Sequence, residues 1–319
     1  MKALITGIRG FVGGHMTRLL LERGDEVAGL DADDKDFNVA IGEKPVKVYK
    51  GDLRDEDIVS KALTEFKPDC LFHLAAQSSV KLSFENPLET FSANLIGTLI
   101  LLETVSKLDF PVKTLVISSS EVYGRLKPEE CPVGEDHPMN PINPYAVSKA
   151  SVDLLARQYH RAYQMPVYIA RAFSHSGPGQ KTVAVLSDWA LQIAKIELGL
   201  APPILKVGNI KVQRDYTDVR DIVRAYLDII EKGQPGKPYN VCSAKGYKLS
   251  DLLEKYQTMV NKKFEVTSDK SRLRPIDIPI LTGSYELLKA DTGWGPKIPI
   301  EKTLRDSLKS WHNHLIEEM

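Results

Sequence analysis

The run Tyr145-Ala146-Val147-Ser148-Lys149 follows the turn-forming pair Asn143-Pro144 and opens a helix-period segment. A spacing of i and i+4 sets a phenol and an ammonium on one helix face. A free phenol, with a pKa near 10, is a poor base at neutral pH. A neighbouring ammonium favours the phenolate and turns the pair into an acid–base device. Alone, the pattern also suits a surface tyrosine beside a lysine. Its companion is Leu115-Val116-Ile117-Ser118-Ser119-Ser120-Glu121-Val122-Tyr123-Gly124, an apolar strand pattern that ends in hydroxyls. Ser119 there can donate to a substrate oxygen while Tyr145 transfers a proton, with Ser120 beside it. Glu121 is either a second base or a strand-end carboxylate bonded to backbone.

A second constellation stands at the start of the chain. Thr6-Gly7-Ile8-Arg9-Gly10-Phe11-Val12-Gly13 follows the first apolar run and leads into the first helical segment. Gly7 permits a tight turn, Gly10 lets backbone approach a pyrophosphate, and Gly13 allows close helix–strand packing. The helix N-terminus adds N–H groups and a positive dipole end. The spacing is G-x-x-G-x-x-G, and Phe11 and Val12 sit in the same turn. Asp31 ends the second strand pattern, about 20 residues on, where a carboxylate accepts from ribose hydroxyls and repels a 2′-phosphate. That favours NAD over NADP. The other reading of Asp31 is a solvated carboxylate in an acidic loop with Asp33, Asp34 and Asp36. Asp52 and Leu53 follow the third strand and are placed for the adenine edge. Leu74-Ala75-Ala76-Gln77 ends the fourth, where small residues leave room for a cofactor.

The elements that must position these groups alternate. Apolar runs at 3–5, 26–30, 46–49, 70–75, 114–117 and 167–170 interleave with helix-period stretches at 12–23, 55–66, 88–108 and 145–163. Such alternation implies βαβ units and a parallel sheet covered on both faces. The expected fold is α/β, doubly wound and Rossmann-like, with ligands at the carboxyl ends of the strands. Residues 1–173 are expected to form the dinucleotide-binding domain. From about residue 174 Pro and Gly punctuate the chain more often. Residues 174–319 are therefore expected to form a smaller mixed α/β domain for substrate, with some chain crossover and a shared cleft.

Composition narrows the partners. Lys and Arg number 42 against 42 Asp and Glu, without the basic surplus of a nucleic-acid binder. Cys70, Cys131 and Cys242 are far apart and lack C-x-x-C spacing, which argues against a disulfide framework or a metal site. The N-terminus enters a strand pattern at once, and no unbroken 18-residue apolar run is present. A cytoplasmic protein without membrane partners is expected.

The motifs T-G-x-x-G-F-x-G, His73 to Ala76 as H-x-A-A, S-S-S-E-V-Y-G, P-Y-A-x-S-K and R-D-Y-x-x-V-x-D together resemble the extended short-chain dehydrogenases/reductases. The resemblance covers nearly the whole chain. It implies NAD(P)-dependent chemistry on nucleotide sugars, with Ser119, Tyr145 and Lys149 as the triad and Lys149 also on the nicotinamide ribose. It further implies a supporting role for Asn94. Ser174-His175-Ser176-Gly177-Pro178-Gly179-Gln180 resembles the N-H-x-G-P-G-Q of GDP-4-keto-6-deoxy-mannose reductases. Arg274-Pro275, Leu281-Thr282-Gly283 and Thr292-Gly293-Trp294 resemble a region shared with GDP-mannose 4,6-dehydratases, and Gln77-Ser78-Ser79-Val80 echoes the latter. Ser174 departs from the usual Asn.

A C4-keto reductase is the favoured expectation, ahead of a 4,6-dehydratase using Glu121 and a 4-epimerase retaining NAD. Gln77, Ser174 and His175 are expected at the sugar nucleotide, with Arg214 and Arg274 on its phosphates. An ion pair to Asp215 or Asp218 is the alternative for Arg214. The resemblance also implies a homodimer through helices 88–108 and 145–163.

Overall fold

The computed structural model describes residues 1–32, 46–273 and 275–319. The acidic positions Asp33, Asp34 and Asp36, and Arg274, lie outside the described residues.

A 7-stranded sheet forms the frame. Across it the strands run Pro238–Val241, Val167–Ala172, Lys113–Ser119, Cys70–His73, Lys2–Thr6, Glu26–Asp31 and Lys47–Lys50, every neighbouring pair parallel. The chain reverses direction across the sheet between Lys2–Thr6 and Cys70–His73, and ligands bind in this fold at that switch point. Helices Phe11–Glu22 and Val219–Lys232 cover one face, burying Met16, Leu20, Ile222, Tyr226 and Ile229 against Ile5, Phe72 and Leu115. Helices Glu56–Phe66, Gly97–Ser106 and Pro144–Tyr163 cover the other, with Val59, Leu63, Leu102 and Val152 against Leu4, Leu71 and Val116. Strands buried on both sides need the unbroken apolar runs seen in the sequence.

Local chemistry fixes the helix starts. Asp55 accepts from the Asp57 N–H at 3.0 Å, and Glu56 and Asp57 in the first turn suit the positive end of the dipole. Asn143 caps Pro144–Tyr163 by accepting from the Ala146 N–H at 2.8 Å, with Pro144 at the first helical position.

The helix expected over 88–108 is continuous but not uniform. Pro87–Phe91 leads into a π-helical turn, Ser92–Ile96, and then Gly97–Ser106. Among the described residues this stretch, Pro87–Ser106, is long and apolar enough to cross a membrane by length and composition, with mean hydropathy 1.3. Here Leu101, Leu102 and Val105 lie in the core instead.

Beyond residue 173 the chain both leaves the first sheet and returns to it. Helix Val219–Lys232 and strand Pro238–Val241 complete the frame, the strand pairing with Val167–Ala172. Around this crossover, Gln213–Asp218 pairs with Ser174–Ser176, Gly246–Lys248 and Ile280–Leu281. Helices Val185–Glu197, Leu249–Met259 and Ile300–Glu317 bury Trp189, Tyr256 and Leu304 in a separate cluster.

Gly13 decides how closely the first helix sits on the sheet. A Cβ there would stand 2.3 Å from the Gly7 carbonyl oxygen and 2.6 Å from that of Ile8. Both are backbone atoms, so the helix itself must shift, at a cost of about 1–3 kcal/mol. Gly13→Val is expected to lower the melting temperature and to abolish dinucleotide binding in a fluorescence titration. A variant that melts and binds like the wild type contradicts this reading.

Candidate active site

The glycine turn is built to receive a diphosphate. Gly7 has φ +69° and donates its N–H to the Leu30 carbonyl at 2.8 Å. A Cβ on Gly7 would lie 2.8 Å from the Ala75 backbone, so the first and fourth strands meet here as no other side chain allows. Gly10, the N-cap of Phe11–Glu22, brings no side-chain oxygen to the helix end. The first-turn N–H groups are thus left for an anion. A cradle that a Cβ would fill, beneath a helix N-terminus, fits the nicotinamide dinucleotide implied by the fold.

The other residues expected at that dinucleotide line the same edge. The Asp31 carboxylate accepts the Arg9 N–H at 2.8 Å, which ties the end of the second strand to the glycine turn. Asp52 is gripped by Arg54, whose Nε and Nη2 donate to it at 2.9 and 2.6 Å, and Arg54 continues to Glu89. Leu53 is buried under Gly97. Leu74 and Ala75 are half-buried and Ala76 is exposed; the Ala75 N–H donates to Thr6 Oγ1 at 3.3 Å.

Across the switch point, the strand Lys113–Ser119 and helix Pro144–Tyr163 bring Ser119, Tyr145, Lys149 and Glu121 together. Ser119 hydrogen-bonds the Tyr145 phenol and accepts the Glu121 N–H at 3.2 Å. Lys149 is buried, and its Nζ donates to the Ile117 carbonyl at 2.8 Å. Burial pulls the Lys149 pKa down to about 8. It raises the half-buried Tyr145 to about 12; the Ser119 bond opposes the rise and the Glu121 charge adds to it. The expected lowering of Tyr145 by Lys149 is therefore corrected: desolvation of the hydroxyl wins, and the ammonium is held on strand backbone. Glu121 does not turn away into backbone contacts alone, since Asn143 Nδ2 donates to its Oε2 at 3.0 Å.

Several residues brace these groups, and of them only Asn94 had a role implied by the resemblance. Asn143 both caps the helix that carries Tyr145 and Lys149 and holds Glu121; an Asn before Pro at a helix start was the available signal. Asn94, in the π-helical turn, donates from Nδ2 to the Gln77 carbonyl at 3.0 Å and to Ser148 Oγ at 2.9 Å, and accepts the Gln77 N–H at 2.8 Å. Ser148 Oγ donates to the Tyr145 carbonyl at 2.7 Å. Turns of this rare type concentrate at functional sites. His73 bridges Thr6 Oγ1 and Thr98 Oγ1, each at 2.8 Å, and burial and then Lys149 lower its pKa to about 3, keeping it neutral. One turn after Lys149, the buried Asp153 accepts from Arg171 Nε at 2.8 Å, which fixes the helix to the strand Val167–Ala172.

On the substrate side the placements are mixed. Ser174 and His175 start the short strand beside Gln213–Asp218, and the His175 ring stacks on Phe11. Ser120 is buried in the turn Ser120–Tyr123. The Gln77 side chain is engaged locally, donating to the Ser79 carbonyl at 3.1 Å and to Thr90 Oγ1 at 2.9 Å. Arg214 is buried and donates from Nη1 to the carbonyls of Gln213 and Ile278, at 2.9 and 2.6 Å. Asp215 accepts from the Ser243 hydroxyl at 2.6 Å, and Asp218 from Arg220 at 2.8 Å. A cavity of about 660 Å³ opens at the chain segment that precedes this strand, lined by Gly208, Asn209, Ile210, Lys211, Leu273 and Asp277 among others. Sequence reasoning missed it; Gly208-Asn209 was the turn signal present.

Comparison with known proteins agrees with this geometry. Residues 4–307 match the family described as GDP-mannose 4,6 dehydratase. The chain is 35% identical over 317 residues to GDP-6-deoxy-D-mannose reductase of Pseudomonas aeruginosa, covering 99% of each. It is 31% identical to GDP-mannose 4,6 dehydratase 1 of Arabidopsis thaliana, covering 95% of this chain and 87% of that one. Among solved structures, RMD from Pseudomonas aeruginosa complexed with NADPH superposes with a TM-score of 0.85 at 33% identity, covering 98% of this chain and 99% of the other. A Thermus thermophilus UDP-glucose 4-epimerase in complex with NAD gives 0.86 at 31% identity, again covering 98% and 99%. With the sheet order, glycine turn and Ser119–Tyr145–Lys149 triad in accord with a full-length match, the chain belongs to the GDP-mannose 4,6-dehydratase family.

Proposed function

We propose that the chain reduces the C4 keto group of a GDP-4-keto-6-deoxyhexose with hydride from a nicotinamide cofactor. The observation that carries this reading is the match to GDP-6-deoxy-D-mannose reductase over 99% of both chains, joined to a Tyr145 phenol hydrogen-bonded to Ser119. A phenol is a proton donor, which ketone reduction requires.

When bound, the reduced dinucleotide supplies the hydride to C4. The chain does the rest. The glycine turn binds the pyrophosphate, and Ser119 donates to the C4 oxygen and fixes its place. Tyr145 gives that oxygen its proton, so the C=O becomes CH–OH. The Lys149 ammonium, anchored on Ile117, offsets the negative charge left on the phenol. Arg214 and the cavity at the segment that precedes its strand are the proposed place for the nucleoside diphosphate. One observation favours a second reading: Glu121, held by Asn143 near Tyr145, is placed to take a proton from C5, as a dehydratase needs. A 4-epimerase is the third.

Asp31 favours NADH, but Arg9 starts at the same corner and can offer a 2′-phosphate a counter-charge. The proposed preference is therefore small, under about tenfold, or ~1.4 kcal/mol. Exposed Leu88, Ile96, Leu154 and Tyr163 on the two outer helices support a homodimer, and free Cys70, Cys131 and Cys242 suit a reducing cytoplasm.

Purified protein given GDP-4-keto-6-deoxymannose and NADPH is expected to oxidise the cofactor in step with loss of the ketone. Tyr145→Phe should lose about 10²–10⁴-fold in kcat, with dinucleotide Kd changed by less than about threefold. A keto product from GDP-mannose with no net cofactor change makes the protein a dehydratase instead.

The buried lysine gives a stability test. Its folded pKa, about 8, lies below its ordinary value. Between the two values the unfolded chain binds the extra proton, so stability rises with pH there; below that window the full cost of the buried charge is present. Lys149→Met is expected to melt above the wild type at pH 7 while inactive, with the gap closing toward about pH 10. A variant melting below the wild type at pH 7 contradicts this.

A further inference from the structure

The segment 174–180 enters the substrate side, yet it is docked on the dinucleotide turn. The His175 ring stacks on Phe11, centroids 6.2 Å apart and planes within 7°. Phe11 meets His15 edge-on at 5.4 Å. His15 Nε2 donates to the Pro178 carbonyl at 2.9 Å; a carbonyl only accepts, so the proton sits on Nε2. The segment is also braced internally. Ser176 Oγ donates to Gln180 Oε1 at 2.8 Å, and Gln180 Nε2 donates to the His175 carbonyl at 3.0 Å. At its centre a Cβ on Gly177 would stand 2.7 Å from Val219 Cγ1 and 3.8 Å from the Phe11 ring. The braced segment is thus packed directly on Phe11 and His15.

We propose that Phe11 and His15 are positioning residues that couple the two sites, so that a bound dinucleotide strengthens binding of the nucleoside diphosphate. This rests on the substrate reading given above. Phe11 is the first residue of the helix whose N-terminal N–H groups take the pyrophosphate. Fixing that first turn fixes the ring on which His175 lies. Ordering one side lowers the conformational cost of ordering the other. The coupling is reciprocal, and such effects are typically about 5–150-fold. The chain thus favours dinucleotide-first assembly without any residue shared between the two ligands.

Calorimetric titration of the wild type with GDP, with and without saturating NADPH, tests this without turnover. The GDP Kd is expected to fall at least about fivefold when NADPH is present. In His15→Ala the two GDP affinities should converge, while NADPH alone binds within about threefold of wild type, since His15 touches the loop and not the turn's N–H groups. His15→Gln, whose amide N–H can reach the Pro178 carbonyl, should restore the coupling; a merely structural role would not predict that rescue. A wild-type GDP Kd unchanged by NADPH overturns the coupling while leaving the substrate reading intact. Full coupling in His15→Ala also overturns it. If GDP fails to bind even with NADPH bound, the substrate reading falls, and the coupling with it.

Discussion

A buried ammonium bonded to a strand carbonyl is the constraint around which this structure is arranged. Lys149 sits inside the edge of the sheet on the Ile117 carbonyl, and burying its charge costs stability that the rest of the fold must supply. The helix that carries it is correspondingly fastened at every level. Asn143 caps it, Ser148 and Asn94 tie its first turn to the end of the fourth strand, and Asp153 with Arg171 clamps it one turn further on. These contacts hold the helix that presents Tyr145 to Ser119.

The same frame explains why one fold serves three related reactions. In the proposed reading, hydride exchange at C4 uses the glycine turn, Ser119, Tyr145 and Lys149. Elimination needs a further base, and Glu121 is the carboxylate that stands near Tyr145. Reduction needs the phenol as an acid, and the Tyr145 phenol is hydrogen-bonded to Ser119. The decision between reactions therefore lies in proton inventory, not in the sheet.

Local patterns were readable because their physics is local. Strand–turn–helix glycines, the i, i+4 phenol and lysine, and hydroxyls closing an apolar run each declare themselves within a dozen or so residues. Quantities set by burial were not readable. The direction of the Tyr145 shift depends on how far its hydroxyl is desolvated, and no spacing encodes that. Gln77 is expected from sequence at the sugar nucleotide, and its amide closes on Ser79 and Thr90. Arg214 looked like a phosphate ligand or an ion-pair partner, yet two of its bonds go to backbone carbonyls. The return of Val219–Lys232 and Pro238–Val241 to the first sheet is a long-range pairing that periodicity registers only as one more helix and strand. The π-helical turn at Asn94 is likewise invisible to a 3.6-residue pattern.

The central claim is a hydride delivered to C4 with a proton from Tyr145. Reacting GDP-4-keto-6-deoxymannose with nicotinamide cofactor deuterated at the transferable position, and locating the label in the product, tests it most directly. One deuterium is expected at C4 of the reduced sugar for each cofactor oxidised. A product without label at C4, or hydrogen exchanged from solvent at C5 with the cofactor unconsumed, would contradict it.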